Sequence, residues 1–259
     1  MKSVVALIAL VGVVVAGVAV YYWQSQRAPV PPPPVAVAPT APAAAEPARI
    51  VHPLPEPADR PALPALADSD SVVNAALAAT LGRDATARFF YPDSVVRRFV
   101  ATIDNLPRKS TAIQLMPVKP VPGTFSVSTS VDTMQIAADN ALRYRPYLMV
   151  MESVEAKRLV ATYVQLYPLF QAAYQELGYP NGYFNDRLVQ AIDDLLATPD
   201  VAAPRVEQPK VLYQFADSNL DERSAGQKML LRMGTANAAR VKDKLRAIRR
   251  ELTGQLTPP

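Results

Sequence analysis

Cysteine is absent from the 259 residues, and histidine occurs once, at His52. These shortages exclude disulfides, Cys-based zinc sites, thiol nucleophiles and thiolate ligation of haem. With the single imidazole in a proline-rich stretch, a Ser–His or Cys–His pair inside a folded core is excluded too. Charge is missing from the beginning of the chain, where the first 23 residues carry only Lys2. Glycine does not occur between residues 28 and 67, so that stretch cannot be a flexible Gly/Ser coil. No G-x-S-x-G, P-loop or G-x-G-x-x-G string occurs. Ser153 with Lys157, and Ser224 with Lys228, are four apart where an S-x-x-K site needs three. No cofactor or metal is expected.

What is present falls into three parts: an anchor over 1–27, a spacer over 28–67 and a domain over 68–259. Residues 4–23, VVALIALVGVVVAGVAVYYW, form an uncharged run. As a helix it reaches about 30 Å, the thickness of a bilayer's hydrocarbon core. Tyr21, Tyr22 and Trp23 stand where an interfacial aromatic belt belongs, and Arg27 follows at headgroup level. A cleaved leader is the competing reading, since Gly17-Val18-Ala19 is a small-x-small site. Apolar residues continue past Ala19 without a polar stretch, which favours a retained single span. Lys2 and Arg27 balance under the positive-inside rule. The absence of Lys and Arg just after residue 28 favours export of the C-terminal side. The expectation is a bacterial inner-membrane protein with a periplasmic domain; a cytosol-facing adaptor is the inverse topology.

Thirteen of the 26 prolines lie between residues 28 and 67. Proline at that density predicts a solvated, stiff polyproline-II-like spacer. Beyond it the hydrophobic period becomes helical. Val73, Ala76, Leu77 and Leu81 predict one helix, with Ser69 or Asp70 as its cap and Gly82 as its stop. Val95, Val96, Phe99, Val100, Ile103 and Leu106 predict another, opened near Pro92 and ended by Pro107. Alternation over 124–136 predicts a small β-hairpin. A long helix over 154–177 is apolar nearly all round, which places it centrally, and Pro168 should kink it. Helices over 185–197, 219–233 and 235–252 complete the pattern, with a short strand near 210–215. The fold class expected is mainly α, a single helical domain with a small hairpin.

The strings RRFVATIDNLPR (97–108), YPLFQAAYQELGYPNGYFNDRLV (167–189) and SAGQKMLLRMG (224–234) resemble a bacterial family catalogued as domain of unknown function 3014. The resemblance covers about 52–252. It implies an envelope-type protein and supplies no activity, substrate or catalytic residue.

Two surfaces stand out as candidates. Tyr179, Asn181, Tyr183, Phe184, Asn185, Asp186 and Arg187 concentrate aromatic, amide and charged groups around an Asn-Gly turn. Such groups suit sugars or peptides; the plainer alternative is that they cap the next helix and pack. The final helix carries Lys242, Arg246, Arg249 and Arg250 on one side, a basic face that would draw an anionic partner such as peptidoglycan carboxylates or lipid headgroups. Nucleic acid does not fit an exported domain. Asp217, Asn219 and Asp221 have the opening spacing of a calcium loop, but Glu222 and Lys228 stand where it needs glycine and glutamate. Nothing in the sequence signals an oligomeric state. The function expected is a tethered, non-catalytic module that binds a protein or cell-wall partner. A glycan-cleaving enzyme using Glu176 and Asp186 is the alternative.

Overall fold

The computed structural model describes residues 49–131 and 133–254, all within one compact unit. The expected membrane span and the first part of the spacer lie outside the described residues. No described helix is long and apolar enough to cross a membrane.

The chain is mainly helical, with a small antiparallel sheet. Helices α1 (Asp70–Leu81) and α2 (Arg83–Phe89) meet at Gly82, whose φ of 91° ends one helix and begins the next. Helix α3 (Val95–Asn105) follows Ser94, which is left-handed at φ 53°. Of the two caps expected for α1, Ser69 stands at the N-cap with its hydroxyl donating back to the Leu66 carbonyl, and Asp70 caps α3 instead: its carboxylate accepts from the Ser94 and Val95 amides at 2.7 and 2.9 Å. Strands β1 (Val127–Ser130) and β2 (Thr133–Ile136) form the expected hairpin. Strands β3 (Arg205–Glu207) and β4 (Gln214–Phe215) extend it into a four-stranded antiparallel sheet in the order β1-β2-β3-β4. Met134 pairs with Val206, and Val206 with Phe215. Ile136, Val206 and Phe215 are buried with Leu220 and Leu231 beneath the sheet.

Between β2 and β3 run α4 (Arg145–Glu152), α5 (Ala156–Glu176) and α6 (Phe184–Leu196). The predicted helix over 219–233 is divided into α7 (Ser218–Asp221) and α8 (Ala225–Arg232). Ser224 causes the break, accepting from the Gln227 amide as the cap of α8 and donating to Asp194 at 2.6 Å. Asp217 caps α7 through the Asn219 amide. Helix α9 (Thr235–Thr253) closes the domain.

Helix α5 occupies the middle, as its all-round apolar sequence requires. One of its sides packs with α1, α3 and α6 around Val73, Val95, Val96, Val100, Leu166 and Phe184. Another packs with α6 and α9 around Val160, Val164, Val189, Ile192 and Leu252. Pro168 sits inside the continuous helix and removes the amide that would donate to the Val164 carbonyl.

The spacer expected over 28–67 differs in its described part. Residues 49–66 form an irregular extended strap against the domain. Leu54 packs on the Val160–Leu252 cluster, and Leu63 and Leu66 on the Val73–Phe184 cluster. Composition alone missed this because three leucines placed over apolar grooves supply the burial that proline and alanine do not.

Candidate functional site

The seat for the strap is the tyrosine-rich turn between α5 and α6. Gln171 on α5 shapes the turn: its Nε2 donates to the Gly182 carbonyl at 2.7 Å, and its Oε1 accepts from the Phe184 amide at 2.9 Å. The Tyr167 hydroxyl donates to the same Oε1 at 2.8 Å. A Cβ at residue 182 would lie 2.7 Å from Tyr174 Cε1, so only glycine lets the turn close on the ring. Tyr179 stacks on Tyr174 with centroids 4.5 Å apart. These contacts within α5 and the turn fix its shape without using the strap.

Three candidate residues converge on that strap. The Asp186 carboxylate accepts from two consecutive amides, Val51 at 3.0 Å and His52 at 2.7 Å. Fully buried Asn185 donates through Nδ2 to the His52 carbonyl at 2.8 Å. Tyr183 accepts from the Leu54 amide through its hydroxyl at 3.0 Å. Further along, Arg60 Nη2 donates to the Val164 carbonyl at 3.3 Å, the acceptor that Pro168 leaves without its helical partner. At Tyr183, Asn185 and Asp186 the contacts are with backbone and not side chains: Ile50 and Val51 are 49% and 65% exposed while their neighbourhood is bound. The arrangement holds the extended backbone of residues 51–54.

Tyr163 supports the floor by donating to Asn185 Oδ1 at 3.4 Å. Burial pushes its hydroxyl well above the usual tyrosine range. Burial does the same to Tyr167, with neighbouring Tyr183 adding to the effect. Both phenols stay neutral and act as donors, not acids.

The other four candidates have different roles. Phe184 is core, 1% exposed among the rings of α5. Arg187 turns away from the seat to Asp104 on α3, with Nε 3.0 Å from Oδ1. Tyr179 and Arg108 join the same buried carboxylate, Tyr179 Oη accepting from Arg108 Nη2 at 2.6 Å and donating to Asp104 at 3.3 Å. Asn181 stays exposed at the tip of the turn. The Asp104 cluster is thus a brace between α3 and α6.

The basic face expected on the last helix does not assemble. Lys242 is 5% exposed and points inward, donating to the Thr198 carbonyl at 2.6 Å and to Asp200 at 2.8 Å. Arg249 forms a two-pronged pair with Asp193, and Arg246 pairs with Asp243 on its own helix. Arg240 pairs with Glu152 of α4. Arg250 is exposed. Acidic residues from α4, α6 and the loop after α6 thus meet cations that sequence alone leaves unmatched. The carboxylates proposed for glycan cleavage are engaged as well, Glu176 with Arg97 at 2.9 Å and Asp186 with the strap. Among the described residues, no cluster of three His, Asp or Glu side chains could hold a metal ion.

Neither Gln171 nor Asp104 nor the pairing of Arg60 with the proline-freed carbonyl was foreseen from sequence. Only Pro168 carried a signal, since an interior proline in a helix implies an orphaned carbonyl four residues earlier.

A family model described as protein of unknown function (DUF3014) matches residues 95–249. No curated protein and no solved structure matches the chain. The matched region contains the whole seat, Gln171, Tyr183, Asn185 and Asp186, whereas the strap lies before it.

Proposed function

The chain belongs to the family of proteins of unknown function DUF3014, and from that premise we propose that it is a non-catalytic binding module that seats an extended polypeptide. The observation that carries this reading is the clamp of Tyr183, Asn185 and Asp186 on the backbone of residues 51–54. A carboxylate filled by two successive amides, with a buried amide side chain on the carbonyl that follows them, is a device for holding main chain. In this state the chain's own strap is the occupant, so a partner segment enters by exchange.

The module is proposed to stand on a single inner-membrane span, with its domain on the periplasmic side. The uncharged run over 4–23 and its aromatic border support that placement. Residues 28–48 then form the stretch between membrane and strap, and tethering raises the local concentration of the seat near its partner. A polypeptide is favoured over cell-wall carboxylates because four of the six cations of α9, Arg240, Lys242, Arg246 and Arg249, are met by Glu152, Asp200, Asp243 and Asp193.

The test uses the full chain carrying His52→Pro, which deletes one of the two amides on Asp186, and a fluorescent peptide with the sequence of residues 49–56. Anisotropy should rise with the variant, rise less with the unaltered chain, and stay flat when Asp186→Ala is added. No binding to the His52→Pro chain would end the reading. A reporter fusion after residue 67 tests the placement: active alkaline phosphatase is expected, and an inactive fusion puts the domain in the cytosol.

A further inference from the structure

The two apolar clusters of the helical core share Tyr163, and between them the helices leave a cavity of about 270 Å³. Helices α1, α3, α5, α6 and α9 all contribute to its wall, through residues such as Leu77, Phe99, Leu159, Phe170, Leu188 and Ile248. Native interiors hold few voids larger than a water molecule. An apolar cavity of about 150 Å³ already admits benzene. The space here is nearly twice that, in a core otherwise filled by interlocking aromatic rings.

Its chemistry is one-sided. The polar atoms of its lining side chains are three hydroxyls, and each is already engaged. Thr80 bonds the Ala76 carbonyl and Thr162, Thr162 bonds the Arg158 carbonyl, and Tyr163 bonds Asn185. A ligand with polar groups inside the cavity would find no partner there, which leaves hydrocarbon. Shape narrows the class further. Along α5 the wall runs from Leu159 to Phe170, a rise of about 16 Å. Spread over that length, a volume of this size is several times longer than it is wide, the proportions of an extended chain. Leu77, Leu81, Leu159 and Ile248 are only half-buried, so the cavity reaches the surface along an apolar rim.

We propose that this cavity is a binding site for a single fatty-acyl chain. It adjoins the strap seat through Tyr163, which lines the cavity and bonds Asn185, but does not depend on the peptide reading. Cells expressing the full chain are fed a fatty acid carrying a photoreactive diazirine in its tail, irradiated, and the purified chain is mapped by mass spectrometry. Label should appear on peptides containing Leu77, Leu159 or Phe170. Thr162→Phe, which fills the cavity from α5, should lower that label at least tenfold, while any label on residues 4–23 stays constant as an internal control. Leu77→Trp fills it from α1 and gives a second chance should the first variant fail to fold, with circular dichroism checking the helix content of both. An adduct mass equal to the free acid or to a phospholipid identifies the carrier of the tail, and either supports the site. Label confined to residues 4–23, or cavity label that survives both filling substitutions, overturns it.

Discussion

Asp104 and Lys242 show what a buried charge requires. Asp104 is 4% exposed and survives there because Arg187, Arg108 and the Tyr179 hydroxyl surround it. Removing the carboxylate leaves Arg187, itself largely buried, without its partner, and breaking a buried pair costs more than the pair contributes. Asp104→Ala should therefore lower unfolding stability by about 3 kcal/mol in urea titrations, and Arg187→Ala should not add a comparable loss to it. Tyr163 and Tyr167 lead an alkaline limit to which the burial of Tyr144, Tyr147 and Tyr174 also contributes. Their hydroxyls ionise in the folded chain only well above the ordinary value of 10, whereas the unfolded chain loses those protons near 10. Above that pH the unfolded state binds fewer protons, so stability is full below 10 and falls as pH rises past it. Thermal melts from pH 9 to 11 should show this fall, and Tyr163→Phe with Tyr167→Phe should flatten it.

At the scale of elements, ends and interruptions matter more than the helices between them. The chain just past the end of α3 satisfies the first amides of α8: the Gly226 amide donates to the carbonyl of Leu106, the C-cap of α3, at 2.9 Å, and the Ala225 amide to the Arg108 carbonyl beyond it. Amides that α8 must leave unpaired internally are thereby matched across a contact. Gly226 permits the approach, since a Cβ there would lie 2.6 Å from Leu195 Cδ2 and 3.3 Å from the Leu106 carbonyl oxygen. Pro168 works in a related way in α5. It frees the Val164 carbonyl, and Arg60 of the strap takes it. Pro168→Ala restores the helical amide to that carbonyl and displaces Arg60. Deuterium exchange over residues 56–62 should quicken while the melting temperature holds or rises. Unchanged exchange there would show that the proline has no part in seating the strap.

For the whole molecule, packing against the core extends well before residue 67, into the strap. Residues 50–66 bury three leucines and place backbone groups on Tyr183, Asn185 and Asp186. Those bonds carry most of the strap's attachment at its start, where the side chains of Ile50 and Val51 remain exposed. Segments held in this way open before the core does. Limited proteolysis of the unaltered chain should cut first between residues 49 and 62 and leave a stable fragment beginning there, and Asp186→Ala should speed that cut by an order of magnitude. Cleavage starting instead in the helices would mean that the strap is as stable as the core.

Helix positions followed from local signals, because hydrophobic period, capping residues and glycine stops act within a few residues of one another. The sequence alone thus placed α1, α3, α5, α6 and α9, together with the β1–β2 hairpin, and marked the tyrosine-rich turn as unusual. What it could not decide were relations across long separations. Asp186 meets Val51 and His52, Arg187 meets Asp104, and Lys242 meets Asp200 only once the helices have packed. The basic helix shows the difference most plainly: its charges are written in the chain, but their neutralisation depends on acids that other elements bring alongside. The strap belongs to the same class, since proline and alanine dictate an extended backbone, and only the folded domain supplies the grooves and acceptors on which that backbone lies.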